Sequence, residues 1–314
     1  MSAFTRLWPK RRFAVDPGLR VGVVGTADGL LGVVMKRQAG SKPQFKAAPV
    51  FRGPQASESW IEWQKSNAPL GQTSVLLSGE HYRIVPLDAP RVPDEERRAA
   101  VSYQAQELLD FPPDTTIIDC LNIPAATSGQ AVSRVFAVAG LKAEIAKWMR
   151  QYRQAGLNLD AIDIPEMALR NVSALVAGPQ THLYLHVGVR SARLVIVWQG
   201  ELCAFRRFEL SGRELATETD GGIDLLVERL ALDIQRTADA FVRQFHSADL
   251  AALWVSSVSK PEPLCAAFRI HQALPVHPLQ LEDHLDWQGP GAIADLDRSI
   301  DHTLAIGAAL RLAA

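Results

Sequence analysis

The sequence predicts an α/β protein of two related lobes, with a smaller α/β block inserted in the first lobe. A glycine-containing turn between two apolar strands lies at Gly25 and returns about 163 residues later at Gly188. Such a long period is typical of a duplicated domain. The third observation is a β, helix, β, β, helix, β order over residues 80–165, which is expected of a compact inserted α/β unit.

Composition makes the chain an ordinary globular protein and excludes several classes. Its 314 residues carry 33 Lys and Arg against 34 Asp and Glu, a net charge of −1. Nucleic-acid surfaces usually show a basic excess, because neutralising phosphates supplies much of the affinity. We therefore expect no nucleic-acid partner. The apolar runs are all shorter than the roughly 20 residues of a membrane span, and the start of the chain lacks the features of a signal peptide.

Cysteine usage and the N-terminal segment bear on location. The three cysteines stand far apart in apolar runs, so we expect reduced, packed thiols in a cytosolic protein rather than disulfides or a zinc site. Residues 1–13 combine four basic side chains with Phe4, Leu7 and Trp8. This pattern fits either a weak contact with an anionic membrane surface or an untethered terminus.

The first lobe, residues 1–79, is predicted to open with a hairpin. Its strands cover 21–25 and 30–34, and the Asp-Gly of the TADG turn between them favours a tight connection. A helix over 58–65 and a strand over 74–77 follow.

The inserted block, residues 80–165, is predicted as a separate subdomain. Its first helix begins with three acidic residues after Pro93 and ends at two consecutive prolines. A second helix ends at Gly156, which has the position of a C-cap. The predicted strands cover 81–86, 115–121, 132–138 and 157–164, and the helices lie near 94–109 and over 141–155.

The second lobe, residues 166–298, is predicted to repeat the opening pattern. Pro165 and Glu166 signal a helix start, and residues 211–214 (SGRE) form a capping box before another helix. A terminal segment, 299–314, contains a closing helix over 299–312. The predicted strands of the second lobe cover 182–187, 194–198, 202–210 and 252–257, and its longest helix covers 223–246.

The most specific motifs for catalysis are absent from the sequence, and the S-x-x-K match at residues 257–260 lacks its partner motifs. The phosphate-binding loop, the nucleophile elbow and the HExxH pair all fail to match. His182 and His186 share a strand face, but roughly 13 Å separates them, too far for one metal ion. Asp160 and Asp163 are predicted on opposite faces of a strand, and Glu166 is better explained as part of a helix start than as an acid–base group. We therefore predict no catalytic and no metal-binding residues.

Several stretches together resemble the PilM-like proteins of type IV pilus assembly, and among them the MshI branch of mannose-sensitive haemagglutinin (MSHA) pilus systems. The resemblance covers about residues 18–312 and is carried by segments 100–112 (AVSYQAQELLDFP), 155–163 (AGLNLDAID), 200–215 (GELCAFRRFELSGREL), 230–245 (LALDIQRTADAFVRQF) and 305–311 (AIGAALR). It implies an actin-like, ribonuclease H-like fold of two lobes around a cleft, with 80–165 as the insertion and the terminal helix returning to the first lobe.

The resemblance also implies a nucleotide site that this sequence has lost. Nucleotide-binding members of the fold carry an acidic residue just before each hairpin glycine, where carboxylates hold hydrated Mg²⁺. Val23 and His186 occupy these positions here, and the later turn, 254–258, lacks glycine. We expect ATP hydrolysis to be absent or very slow and no ATP or Mg²⁺ to be required, while binding of unhydrolysed nucleotide stays open. The vestigial phosphate hairpins would contain Gly25, Thr26, Gly188, Arg190 and Ser191, with Arg193 as a further phosphate contact.

The function implied is a non-catalytic cytosolic scaffold at the inner face of the inner membrane. Its partner would be the cytoplasmic tail of a PilN-like or MshJ-like bitopic membrane protein, held in a groove beside the insert. The candidate lining residues, which could equally be core, are Val101, Gln104, Ala105, Leu108 and Leu109. Two alternatives stay open: an actin-like ATPase that hydrolyses ATP slowly with acids moved to Asp28 or Glu201, and a type II secretion scaffold, which usually has its own membrane span.

Overall fold

The computed structural model describes residues 15–26, 29–37, 40–124, 133–245, 248–288 and 302–311. The basic terminus, Asp28 and the start of the closing helix lie outside these ranges. The strands are β1 (Leu19–Gly25), β2 (Gly29–Lys36), β3 (Gln44–Ala47), β4 (Phe51–Arg52), β5 (Gln72–Leu76), β6 (Tyr82–Asp88), β7 (Thr116–Asn122), β8 (Arg134–Leu141), β9 (Leu159–Asp163), β10 (His182–Val187), β11 (Ala192–Trp198), β12 (Glu201–Phe208), β13 (Ala252–Ser257), β14 (Val276–Pro278) and β15 (Asp286–Trp287). The helices are α1 (Ala56–Asn67), α2 (Asp94–Gln106), α3 (Lys142–Ala155), α4 (Pro165–Ala177), α5 (Gly212–Thr217), α6 (Asp220–Gln244), α7 (Pro261–His271) and α8 (His302–Ala309).

The two large sheets have the same central topology. In the first-lobe sheet β1 pairs antiparallel with β2 and parallel with β5, and the strand order is β15-β3-β2-β1-β5-β9. In the second-lobe sheet β10 pairs antiparallel with β11 and parallel with β13, in the order β12-β11-β10-β13-β14. The recurring hairpin of the sequence therefore reflects a repeated arrangement of strands.

The inserted sheet is smaller and antiparallel, in the order β6-β8-β7. Its helix α2 packs on one face, where Val101 and Ala105 join the apolar side chains of the sheet in a separate core. Strand β9, which the sequence analysis placed inside 80–165, pairs instead with β5 of the first-lobe sheet. Helix α3 lies against α1 and β9 as well as β8. The inserted sheet itself therefore ends at Leu141, and the chain returns to the first lobe through α3.

Several local signals are confirmed. Gly156 has a left-handed φ of 70° and caps α3, and Ser211 and Glu214 form the predicted capping box. Helix α4 begins with Pro165 at its first turn. The buried positions of α3, Ile145, Trp148 and Tyr152, follow the helical spacing of three and four residues.

A chain of buried hydrogen bonds connects α1, α3 and β5. The Trp60 indole N–H donates to the Tyr152 hydroxyl at 2.9 Å, and that hydroxyl donates to Gln64 Oε1 at 2.9 Å. The Gln64 amide then donates to Thr73 Oγ1 at 2.8 Å. Each of these four side chains thus has a hydrogen-bond partner within the protein, as buried polar groups require.

Replacing Tyr152 with phenylalanine should destabilise the fold by about 2 kcal/mol, because it leaves a buried donor on Trp60 and a buried acceptor on Gln64 without partners. Urea unfolding followed by tryptophan fluorescence measures the change. Tyr103→Phe is the matched control, because the Tyr103 side chain is 73% exposed and its hydroxyl can bond to water. Equal stability changes in the two variants would contradict the role of the buried hydroxyl.

Candidate functional site

The two hairpin turns predicted as vestigial phosphate sites are closed by their own backbone. The Thr26 N–H donates to the Gly29 carbonyl at 2.9 Å, and the Gly188 N–H donates to the Ser191 carbonyl at 3.1 Å. The Gly188 carbonyl accepts the Gly212 N–H, at the start of α5, at 2.8 Å. These two amide donors are therefore already used within the turns. Of the other predicted residues, Arg190 is exposed and Gly25 faces open space.

The two positions where the family resemblance places acids hold Val23 and His186, and neither side chain offers the carboxylate oxygen that Mg²⁺ prefers. Val23 is fully buried in β1, between Gly32 and Val75 on the neighbouring strands. An aliphatic side chain offers no ligand atom. His186 is almost completely buried, and its Nδ1 lies 2.8 Å from Ser256 Oγ, which in turn lies 2.7 Å from the Tyr184 hydroxyl.

The second-lobe sheet carries a row of polar residues on adjoining strands. His186 pairs with Ser256 on one side and with Arg193 on the other, and Arg193 pairs with Arg207. Directly paired residues on adjacent strands project from the same face of a sheet. Both arginines therefore lie on the same face of the second-lobe sheet as His186. Arg193, proposed from the sequence as a phosphate contact, belongs to an ion cluster within the protein.

The centre of that cluster is the carboxylate of Glu166, whose side chain is 1% exposed. Oε1 lies 3.0 Å from Arg207 Nε and 3.7 Å from Arg193 Nε. Oε2 accepts a hydrogen bond from the Tyr82 hydroxyl at 2.7 Å. The Arg207 guanidinium lies 4.7 Å from the centre of the Tyr82 ring. The cluster thus joins the first strand of the insert, the start of α4 and the second-lobe sheet.

The protonation states within the cluster follow from burial and charge. Burial, and then the Glu166 charge, raise the pKa of Tyr82 well above its ordinary value, so its hydroxyl stays a donor. Burial alone would lower the pKa of Arg207, but the Glu166 carboxylate and Tyr82 raise it overall. This role of Glu166 is not visible in the sequence, because a first-turn acid after proline is explained well enough as a helix start.

The two aspartates of β9 both contact Arg311, although the sequence predicted them on opposite faces of the strand. Arg311 Nη1 lies 2.7 Å from Asp160 Oδ2, and its Nε lies 3.5 Å from Asp163 Oδ2. The pairing of β5 with β9 jumps from Leu159 to Ala161. This irregularity leaves Asp160 out of the ladder and breaks the alternation of faces on which the prediction depended. Arg311, Asp160 and Asp163 thus form an internal ion network. In it, burial raises the pKa of Asp163 and Arg311 opposes that rise.

Other candidates have ordinary structural roles. Glu201, considered as a relocated acid, lies at the far end of the β11–β12 hairpin from the Gly188 turn and pairs with Arg170 at 3.6 Å. Burial raises the pKa of the Cys203 thiol to about 12 and that of Cys265 to about 11, so neither is a ready nucleophile. The described ranges hold no group of three His, Cys, Asp or Glu side chains placed to bind a metal ion.

The residues predicted to line the partner groove, on α2 and in the turn after it, divide into a buried set and an exposed set. Val101 and Ala105 are fully buried in the core of the insert, so they cannot line an open groove. Leu109 is half-buried against the same core. Gln104 and Leu108 are exposed, with 60% of Leu108 accessible. Tyr103, which was not among the predicted lining residues, lies on α2 and is 73% exposed, more than Leu108.

The opposite side of the insert rests on the second lobe. Phe136 of β8 meets Phe205 of β12 edge to face, with ring centres 5.5 Å apart. Arg134 Nη1 donates to Gln244 Oε1, at the end of α6, at 3.1 Å. Together with the Tyr82–Glu166 hydrogen bond, these contacts fix the inner face of the insert and leave the α2 side accessible.

Comparison with known proteins was made for both sequence and fold. No family model and no curated protein matches the sequence. Among solved structures, the "PilM-PilN type IV pilus biogenesis complex" is similar with a TM-score of 0.67 and 18% identity, over 93% of this chain and 97% of the other. The cytoplasmic domain of EpsL, an inner-membrane component of the type II secretion system of Vibrio cholerae, gives 0.50 and 10%, over 93% and 94%. A Bacteroides thetaiotaomicron protein described as having an actin-like ATPase fold and unknown function gives 0.46 and 10%, over 86% and 93%.

The fold is therefore the two-lobed, actin-like α/β fold that the family resemblance implied. The PilM match spans nearly the whole of both chains, and the repeated strand order of the two sheets agrees with it. A likeness at 18% identity establishes the fold, whereas function has to be argued from the sites. Among the residues that the structure describes, no helix combines the length and the apolar character needed to span a membrane.

Proposed function

We propose that this protein is a PilM-like scaffold of type IV pilus assembly that binds the cytoplasmic tail of a PilN-like inner-membrane protein. The observation that carries the proposal is the similarity to the PilM–PilN complex over nearly the full length of both chains. We assign the protein to the MSHA type, with an MshJ-like protein as the alternative owner of the tail, and place it at the cytoplasmic face of the inner membrane. These finer assignments come from the resemblance of the sequence segments to the MshI branch.

We further propose that the scaffold does not hydrolyse ATP. Three features of the cleft support this view: an aliphatic residue at Val23, a histidine bound to Ser256 at His186, and hairpin amides that already have backbone acceptors. Each removes a ligand or donor that phosphate and Mg²⁺ would use. Arg193 and Arg207, on the same sheet face as His186, are engaged by Glu166.

The proposed binding surface is the exposed part of α2 together with the turn that follows it. Helical or extended peptides commonly dock in a groove beside a helix, with apolar side chains as anchors. Leu108 and Gln104 supply one apolar and one polar contact there, and Tyr103 adds an exposed aromatic ring. Aromatic residues are enriched among the side chains that dominate binding energies.

Calorimetric titration tests this proposal, using synthetic peptides that copy the cytoplasmic tails of a PilN-like and an MshJ-like protein. We expect a Kd in the micromolar range, about −8 kcal/mol, for the true partner, and no heat from Mg-ATP. Leu108→Asp should weaken peptide binding at least tenfold. Leu225→Asp on α6 is the matched control, because Leu225 is 64% exposed but lies on the second lobe. Binding of neither peptide would contradict the scaffold proposal, and tight binding of Mg-ATP would favour the ATPase alternative.

A further inference from the structure

The Glu166 cluster places two guanidinium groups against a single carboxylate. Arg193 and Arg207 are directly paired on adjacent strands, and like charges in that position repel each other. The Glu166 carboxylate lies within 4 Å of both and is the group that offsets the repulsion. One positive charge is left over, and the Nε atom of Arg193 is buried without a hydrogen-bond partner.

Both arginines converge on one small volume beside the loop that joins β5 to β6. A Cβ atom placed on Gly79 would stand 3.4 Å from Arg207 Nη1 and 3.9 Å from Arg193 Nη2. Two planar guanidiniums around one point form the arrangement that proteins use to bind phosphate-type anions. In this protein an internal anion already serves the Nε side of both guanidiniums, because the almost completely buried Glu166 carboxylate lies 3.0 Å from Arg207 Nε and 3.7 Å from Arg193 Nε.

We propose that Glu166 is a built-in anion that blocks a latent site for a phosphate-type anion and keeps the insert attached to the second lobe without a bound ligand. Its Oε1 neutralises the arginine pair, while its Oε2 holds the hydroxyl of Tyr82 on the first strand of the insert. Arg207 adds a second link by lying over the ring of the same tyrosine. The carboxylate occupies the Nε side of both arginines, so an external anion that engages the pair on that side must displace it.

Removing the carboxylate should therefore uncover the anion site. The test measures binding of inorganic pyrophosphate by calorimetry and thermal unfolding, at constant ionic strength adjusted with sodium chloride. The wild-type protein should show no binding up to millimolar pyrophosphate. Glu166→Ala should have a lower Tm, bind pyrophosphate at least tenfold more tightly than wild type, and recover part of the lost Tm when it is added. The double variant E166A/R207A should lose this response.

Glu166→Gln provides a second route if the alanine variant does not fold. The amide oxygen of glutamine can still accept a hydrogen bond from the Tyr82 hydroxyl, but the side chain carries no charge. Wild-type protein that binds pyrophosphate as tightly as the variants would overturn the blocking role. A folded variant that does not respond to pyrophosphate would overturn the latent site. Neither peptide docking nor ATP turnover enters the test, so its outcome is separate from that of the proposed function.

Discussion

Gly22→Ala is expected to destabilise the protein by about 3 kcal/mol or more, because the added methyl group has no space. A Cβ on Gly22 would stand 1.9 Å from the carbonyl oxygen of Ala305 and 2.7 Å from the backbone nitrogen of Ala309. Both atoms belong to the backbone of α8, so no side-chain rotation can relieve the overlap. Helix α8 is also held from its other side, since a Cβ on Gly307 would stand 2.2 Å from the carbonyl oxygen of Ala168 in α4. The helix thus cannot move away from β1 without disturbing α4.

The measurement is the midpoint of thermal unfolding compared with that of Gly25→Ala. Gly25 ends the same strand, but an added Cβ there meets nothing within 4 Å. The control makes the same change in chain entropy and strand propensity without the overlap, and we expect a change within about 0.5 kcal/mol. If Gly22→Ala were as stable as Gly25→Ala, the close packing of α8 on β1 would be refuted.

Local signals in the sequence predicted most of the elements, because each depends on a few neighbouring residues. The TADG turn, the proline at the start of α4, the capping box of Ser211 and the glycine that ends α3 all act within a few positions of themselves. The duplication could also be predicted, since the same hairpin pattern occurs twice. The sequence did not predict where the chain leaves the insert. The residues of β9 are predicted as a strand whether that strand pairs with β5 or with the inserted sheet.

The site could be predicted only in part. Substitutions at the nucleotide positions are visible in the sequence, because Val23 and His186 stand where the family resemblance places acids. The Glu166 cluster is not visible in the sequence, because Tyr82 and Arg207 lie 84 and 41 residues from Glu166 along the chain. They meet only through the packing of the insert on the second lobe. The contact of Arg311 with both aspartates depends on an irregularity at Asp160 that strand alternation cannot predict.

The network around Arg311 leads to the second large effect on stability. Arg311 and Asp163 have side chains that are 6% and 4% exposed, and Asp160 is 29% exposed. A buried ion pair contributes modestly as a pair, but removing one partner leaves an uncompensated charge in the interior. Replacing Arg311 with methionine, which keeps much of the apolar stem, should therefore cost about 3–5 kcal/mol at neutral pH. The matched control is Arg236→Met, because Arg236 is 66% exposed in its pair with Asp233 and such pairs contribute about 0–1 kcal/mol.

The pH dependence separates loss of the charge from loss of packing. Burial raises the pKa of Asp163, and Arg311 counteracts that rise, so Arg311→Met should raise the pKa further. The folded variant then binds a proton more tightly than the unfolded chain, and its stability falls as the pH rises through the folded-state pKa. The stability gap between wild type and variant should thus be wider at pH 8 than at pH 5, as measured by urea unfolding. Adding Asp163→Asn to the variant should restore part of the stability at pH 8. A gap that is independent of pH and unchanged by Asp163→Asn would mean that Arg311 acts through packing alone.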